Sequence, residues 1–218
     1  MSSLISVIVN CHNGEKYLEN CISSILDQKY QNFEIIFYDN FSSDNSKKIL
    51  DKFNDNRIKY FYSDIKMSLY KARNEATNKS SGSLIAFLDV DDWWDKNYLS
   101  NKEKFFENKK YDYFYSNTMF YFEKKKTFSK YKKFNFPDGI IYPFLVKDYF
   151  IIISGLIIKK EILQKEMYFN ESYNIIGDYE FMMRISKYAN AKGFSIPMIY
   201  YRVHEKNFST LNDKMFYD

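Results

Sequence analysis

Short apolar runs recur through the first half of the chain, each followed by a polar turn and then by residues at helical spacing. Leu4 to Val9 is the first such run, a β-rich strand ending in the turn residues Asn10-Cys11-His12-Asn13-Gly14. Leu18, Ile22, Ile25 and Leu26, with Cys21 beside them, then mark one face of a helix, with Asn13 as its expected N-cap. Phe33 to Tyr38 reads as a second strand and Asp39 to Ser46 as a polar turn. Ile49, Leu50 and Phe53 form the apolar face of a second helix. Ile58 to Tyr62 gives a third strand, and Leu69 to about Lys79 a third helix containing Ala72, Arg73 and Asn74. Ser80-Ser81-Gly82 breaks that helix and leads into the apolar run Leu84 to Leu88. Strand alternating with helix in this way predicts an α/β fold, a Rossmann-like and mostly parallel sheet flanked by helices. No G-x-G-x-x-G follows the first strand, so a dinucleotide fingerprint is absent.

The pattern changes after Trp93. Asn97 to Asn108 has the spacing of a charged amphipathic helix, and Asp112 to Asn117 reads as a strand. Met119 to Phe136 is polar, aromatic and basic, and is expected to be a hairpin or loop. Ile151 to Ile158 is a strand interrupted by Ser154-Gly155. Gly177-Asp178-Tyr179-Glu180 opens a helix carrying Phe181, Met182, Ile185 and Tyr188. Two short strands, Phe194 to Ile196 and Met198 to Tyr201, flank Pro197, and Arg202-Val203-His204 leads into a tail. No repeat or linker divides the sequence, so residues 1–218 are expected to form a single domain.

The fourth apolar run ends in Asp89-Val90-Asp91-Asp92. Ligands of open α/β sheets gather beyond the carboxyl ends of strands, where such residues sit. Asp89 and Asp91 alternate about Val90 and point the same way in extended chain. Clustered carboxylates repel one another unless a cation lies between them, and hard oxygen ligands suit Mg²⁺ or Mn²⁺. The alternative is an acidic cap for a helix starting at Trp93.

Composition narrows the field. The net charge of +4 is too mild to imply nucleic-acid binding. Tyr and Phe number 21 each, a load that matches a biased genome and carries no function by itself. Cys11 and Cys21 have neither metal-ligand spacing nor a disulfide framework, which fits a reducing compartment. Met1 to Val9 lacks a basic leader segment, and the apolar tract Phe150 to Ile158 is far short of a membrane span. A soluble cytoplasmic protein is expected. The basic segment 119–136 has two readings, a patch gripping a lipid-linked glycan or anionic headgroups at the inner membrane face, and a solvated hairpin, which is favoured.

Five separated motifs, in order, resemble the inverting family-2 glycosyltransferases with the GT-A fold. They are Val7 to Asn13, Asp39-Asn40 to Asp44, Ala72-Arg73-Asn74, Phe87 to Asp92, and Gly177 to Phe181. The resemblance runs from Ile5 to about Ser209 and implies a nucleotide-binding half up to about residue 93 and an acceptor-binding half from about residue 94. It implies a nucleotide-diphosphate sugar donor, UDP-sugar favoured, and a glycan or lipid-linked acceptor.

By the same resemblance His12 lies under the base, where the family usually has Tyr. The donor-binding pair Asp39-Asn40 stands where the family usually has two Asp residues followed by Gly, the second of which accepts a hydrogen bond from the base, and Phe41 replaces that glycine. Asn offers both an acceptor and a donor, so Asn40 suits uracil or another base face. Arg73 lies on a donor-binding helix, where a surface ion pair is the alternative. Asp91 and Asp92 sit nearest the metal and ribose, Asp89 is a third carboxylate of the cluster, and His204 is a further metal ligand on a tail that folds back. Asp178 corresponds to the catalytic base that takes the proton of the attacking hydroxyl. The family usually has Glu-Asp where this chain has Gly177-Asp178. Two other functions compete: a catalytically silent GT-A module that binds a partner or glycan, and a sugar nucleotidyltransferase. The latter normally needs a Gly-rich loop, and Asn10 to Lys16 has only Gly14.

Overall fold

A computed structural model of the chain describes residues 3–100, 110–164, 168–205 and 207. Its elements follow the expected order. They are β1 (Ile5–Cys11), α1 (Leu18–Leu26), β2 (Phe33–Asn40), α2 (Ser46–Leu50), β3 (Ile58–Ser63), α3 (Leu69–Asn78) and β4 (Leu84–Phe87). Then come β5 (Trp93–Trp94), β6 (Tyr113–Phe122), β7 (Thr127–Lys130), α4 (Tyr142–Leu145), a 3₁₀ turn (Ile153–Gly155), β8 (Leu156–Lys159), α5 (Lys160–Gln164), α6 (Gly177–Ile185) and β9 (Ala191–Val203).

The strands form one mixed sheet in the order β3-β2-β1-β4-β8-β6-β9-β5, with β7 paired to β6. The first four strands are mutually parallel. Beyond β4 the pairings are antiparallel except for the long parallel ladder of β6 with β9. Strands buried on both faces explain the near-continuous apolar runs. Along β1, Val7 and Val9 pack with α1, whereas Ile8 packs with α3 on the other face. The same alternation along β2 puts Ile35 and Phe37 on the first face and Ile36 and Tyr38 on the second.

Several expectations change in detail. The alternative of a helix starting at Trp93 does not hold: Trp93 and Trp94 form a two-residue strand paired with β9, so Asp91 and Asp92 cap no helix. Most of the helix expected over Asn97–Asn108 lies outside the described residues, and 97–100 form turns. The two short strands around Pro197 are one strand, β9. Its register against β6 shifts between Ser116 and Thr118, which leaves Pro197 in the irregularity, where a missing N–H costs no ladder bond. Asn13 caps nothing: α1 starts after Tyr17, and Asn13 Oδ1 instead accepts from the Ser43 N–H at 2.8 Å. The basic segment contains the β6–β7 hairpin, closed through Lys124-Lys125-Lys126.

Candidate active site

The carboxyl ends of β1, β2 and β4 lie side by side, so His12, Asp39, Asn40 and the Asp89–Asp92 turn all reach the same edge of the sheet. Ser154, in the 3₁₀ turn before β8, ties that turn down. Its hydroxyl donates to Asp92 Oδ2 at 2.6 Å, and the Asp89 N–H reaches Ser154 Oγ at 3.2 Å. The other Asp92 oxygen accepts from the Arg202 N–H at 2.9 Å. Asp92, expected among the metal ligands, is 1% accessible, and both its oxygens are engaged inside the protein. It holds the tail strand β9 against the Asp turn instead.

Asp91 is the carboxylate that the turn leaves outward. Its Oδ2 lies 3.1 Å from His204 Nε2 and 3.3 Å from Asn207 Nδ2. His204 therefore does fold back from the tail to the Asp turn. Arg202 fixes that return: its Nε donates to the Asp91 carbonyl, and its guanidinium packs on the faces of Trp93 at 4.6 Å and Tyr17 at 4.8 Å. Among the described residues no group of three or more His, Cys, Asp and Glu is arranged to hold a metal ion. Asp91 and His204 supply two donors on adjoining elements. That fits Mg²⁺ or Mn²⁺, which commonly take one or two protein ligands and complete the shell with phosphate oxygens and water.

Arg73 is not a surface residue. It is 2% accessible, and its guanidinium donates to Asp89 Oδ1 at 2.7 Å while lying over the ring of Phe169 at 5.3 Å. It also faces Asp178, which α6 brings beside it. Asp178 Oδ1 accepts from the Tyr179 N–H at 2.9 Å and lies 3.3 Å from the Tyr70 hydroxyl. It does not cap α6, whose N-cap is Ile176 without a side-chain bond. Burial raises the pKa of Asp178, and the Arg73 charge opposes the rise. Burial likewise raises Asp89, with Arg73 opposing and Asp91 and Asp178 adding to the rise. Asp92 is pushed well up by burial and by its two carboxylate neighbours. A carboxyl held above its ordinary value at a cleft is suited to taking a proton or a cation.

At the ends of β1 and β2, His12 is exposed and its Nδ1 lies 2.9 Å from the Asn40 carbonyl. Asp39 is buried, accepting from the Ser42 N–H at 2.8 Å and the Tyr60 hydroxyl at 3.0 Å. Asn40 makes a two-point bond with Met67: its Nδ2 donates to the Met67 carbonyl, and its Oδ1 accepts from the Met67 N–H, both at 2.9 Å. A carboxylate cannot donate, so Asn at this position makes a bond to the loop before α3 that Asp could not. Phe41 has φ of 66°, the left-handed region where glycine is at ease and an aromatic residue is strained. A cleft of about 910 Å³ opens on the outer side of the tail, among Asn13, Lys16, Tyr17, Glu123 and His204. Tyr70, Ser154 as a tie to Asp92, and Asn207 carried no motif in the sequence. The first two lie against the acidic motifs and were legible only as apolar or turn residues.

The fold and the converging acidic cluster define a GT-A architecture. The model of glycosyl transferase family 2 matches residues 6–194, and the chain belongs to that family. It is 32% identical over 204 residues to the Escherichia coli UDP-Glc:alpha-D-GlcNAc-diphosphoundecaprenol beta-1,3-glucosyltransferase WfaP, covering 92% of this chain and 78% of that protein. It is 34% identical over 145 residues to the E. coli enzyme of the same activity, WfgD, covering 66% of this chain and 56% of that protein. In structure it is similar to S. aureus TarS 1-349 in complex with UDP-GlcNAc, with a TM-score of 0.76 at 20% identity, covering 93% of this chain and 59% of that one. The last likeness shows the fold alone. Among the described residues no helix is long and apolar enough to cross a membrane.

Proposed function

We propose that this chain transfers a sugar from a UDP-sugar to a hydroxyl of a lipid-diphosphate-linked glycan, with inversion at the anomeric carbon. The observation that carries the reading is the arrival of Asp178, from α6, beside Arg73 and Asp89 at the edge that also presents Asp91 and His204. The names of WfaP and WfgD supply the donor and acceptor classes.

The base of the donor lies against the His12 ring and the Asp39–Asn40 strand end. Asp91 and His204 would hold Mn²⁺ or Mg²⁺, which supplies Lewis acidity toward the diphosphate. Asp178 accepts the proton of the acceptor hydroxyl as that oxygen attacks the anomeric carbon from the face opposite the leaving nucleoside diphosphate. Arg73 keeps Asp178 and Asp89 close together without requiring both to be protonated. Asp92 and Ser154 lock the turn that aims Asp91. The exposed Lys124, Lys125, Lys126 and Lys130 with Phe128 form a basic, apolar hairpin beside the cleft, and this is the face we assign to the anionic surface carrying a lipid-linked acceptor.

The test is incubation with UDP-glucose, Mn²⁺ and a GlcNAc-diphosphate lipid, with the new linkage read by NMR. A β-linked product from the α-linked donor supports the reading. Absence of product across a panel of UDP-sugars, from folded protein, counts against it.

A further inference from the structure

The hydroxyl of Tyr70 ends where α6 begins. Tyr70 is the second residue of α3, 1% accessible, with its ring stacked on Phe169 at 5.8 Å. Its hydroxyl donates to the Ile175 carbonyl at 2.5 Å and lies 3.3 Å from Asp178 Oδ1. A phenol carries one proton that swings about its C–O bond, so the same hydrogen serves either acceptor. Gly177 lies between these two contacts. A Cβ there would stand 2.5 Å from Cε2, 2.6 Å from Cδ2 and 2.7 Å from Cζ of the Tyr70 ring. Gly177 is not in the left-handed region, so glycine is needed for space and not for backbone freedom. The bulk missing at position 177 is present at position 70. α6 has no side-chain cap, and the Tyr70 hydroxyl from α3 holds the chain just before it through the Ile175 carbonyl.

We propose that Tyr70 is a positioning residue for Asp178: its ring seats on Gly177, and its hydroxyl ties down the Ile175 carbonyl and faces the carboxylate. The proposal rests on the reading of Asp178 as the proton acceptor. The groups facing Asp178 are Tyr70 and Arg73 from α3, Asp89 beyond β4, Tyr149 before the 3₁₀ turn, and the Tyr179 N–H of α6 itself. A hydroxyl donating to the ionised carboxylate favours the charged form and opposes the rise caused by burial. Loss of that hydroxyl therefore raises the pKa of Asp178 and moves the acid limb of the rate–pH profile to higher pH.

Tyr70→Phe keeps the ring and removes the hydroxyl. We expect the Asp178 carboxyl, followed by NMR titration, to move upward, the transfer rate below the limb to fall about tenfold, and UDP affinity to be unchanged. Gly177→Ala should lower both Tm and transfer in the parent protein. In a Tyr70→Ala background, which vacates the space, the added methyl should cost much less. An Asp178 that titrates identically in Tyr70→Phe overturns the proposal, as does a Gly177→Ala cost that is the same in both backgrounds. A shifted titration together with full transfer by Asp178→Asn has a different meaning. It leaves the Tyr70 contact intact and overturns the assignment of Asp178 as base.

Discussion

Carboxylates in the parallel half and carboxylates at the cleft experience opposite fates. In the parallel half, burial pushes Glu34 up, but Lys59, the Ser6 hydroxyl and the Ser81 N–H together bring it below its ordinary value. Burial of Asp44 is likewise outweighed by the Ser46 hydroxyl and the N–H groups of Glu15 and Ser46. Arg57 beside Asp55 lowers its pKa directly. At the cleft, burial wins at Asp89, Asp92 and Asp178, although Arg73 opposes it at Asp89 and Asp178 and the Ser154 hydroxyl and Arg202 N–H oppose it at Asp92. The first group pins strands and loops of the framework to their neighbours. The second is held by the sheet in a state that favours a proton or a cation. The contrast separates framework from site without reference to any motif.

The sharpest way to break that contrast is Asp178→Asn. It removes the proton acceptor without changing shape, and we expect transfer to fall by about 10²–10⁴-fold with UDP binding retained. Steady-state transfer and calorimetric UDP titration check both halves. Preserved transfer would place Asp178 with the framework.

Among the described residues Arg73 is the cation that faces both Asp89 and Asp178, and Arg73→Met leaves them without it. Since 34% of the Asp89 side chain is accessible, the cost should lie near the lower end for a broken buried pair, about 3 kcal/mol. Urea unfolding measures it. Adding Asp89→Asn should recover part of the loss, and no recovery would mean that Arg73 acts through packing on Phe169 alone.

The two groups also predict opposite pH behaviour. Glu34, Asp44 and Asp55 have lowered pKa values, so their stabilisation is present above the unfolded carboxylate range and is lost as pH falls through their folded values. Asp178 and Asp89 have raised values, so their contribution is full below the unfolded range and is lost as pH rises through the folded values. Asp178→Asn should therefore be more stable than the parent at neutral pH without ligand, with the difference vanishing in acid. Chemical unfolding of both proteins across that range tests the sign. Equal stability at neutral pH would remove the burial argument for Asp178.

The smallest expected effect lies at the edge of the framework. Phe41 has a left-handed backbone and is 45% exposed, so Phe41→Gly relieves strain while losing little packing. A gain of about 1 kcal/mol in unfolding free energy is expected. A loss instead would show that the exposed ring has a partner.

The strand–helix alternation up to Leu88 was readable because β1, β2 and β4 are buried on both faces and the turns between elements are polar. Periodicity failed where one element serves two purposes. Trp93-Trp94 has no strand signal of its own and becomes a strand only because β9 runs beside it. Pro197 divided β9 in the sequence, yet a register shift accommodates it. The acidic residues were found by motif, but their roles depend on distant partners. Asp92 could be seen as internal only once Ser154 and the Arg202 N–H were placed on it. The Asn40 departure acquires a reason in Met67, and the Gly177 departure in Tyr70, partners that lie on other elements and leave no local pattern.

The most direct test of the central claim, that this edge is a cation-assisted nucleotide-sugar site, is a calorimetric panel of UDP, GDP, CDP, dTDP and ADP. Each nucleotide is titrated with and without Mn²⁺ into the parent protein and into Asp91→Ala. The account predicts selective, Mn²⁺-dependent binding of UDP that disappears in Asp91→Ala. Binding of no nucleotide, or UDP binding indifferent to both Mn²⁺ and Asp91, would contradict it and favour a silent GT-A module.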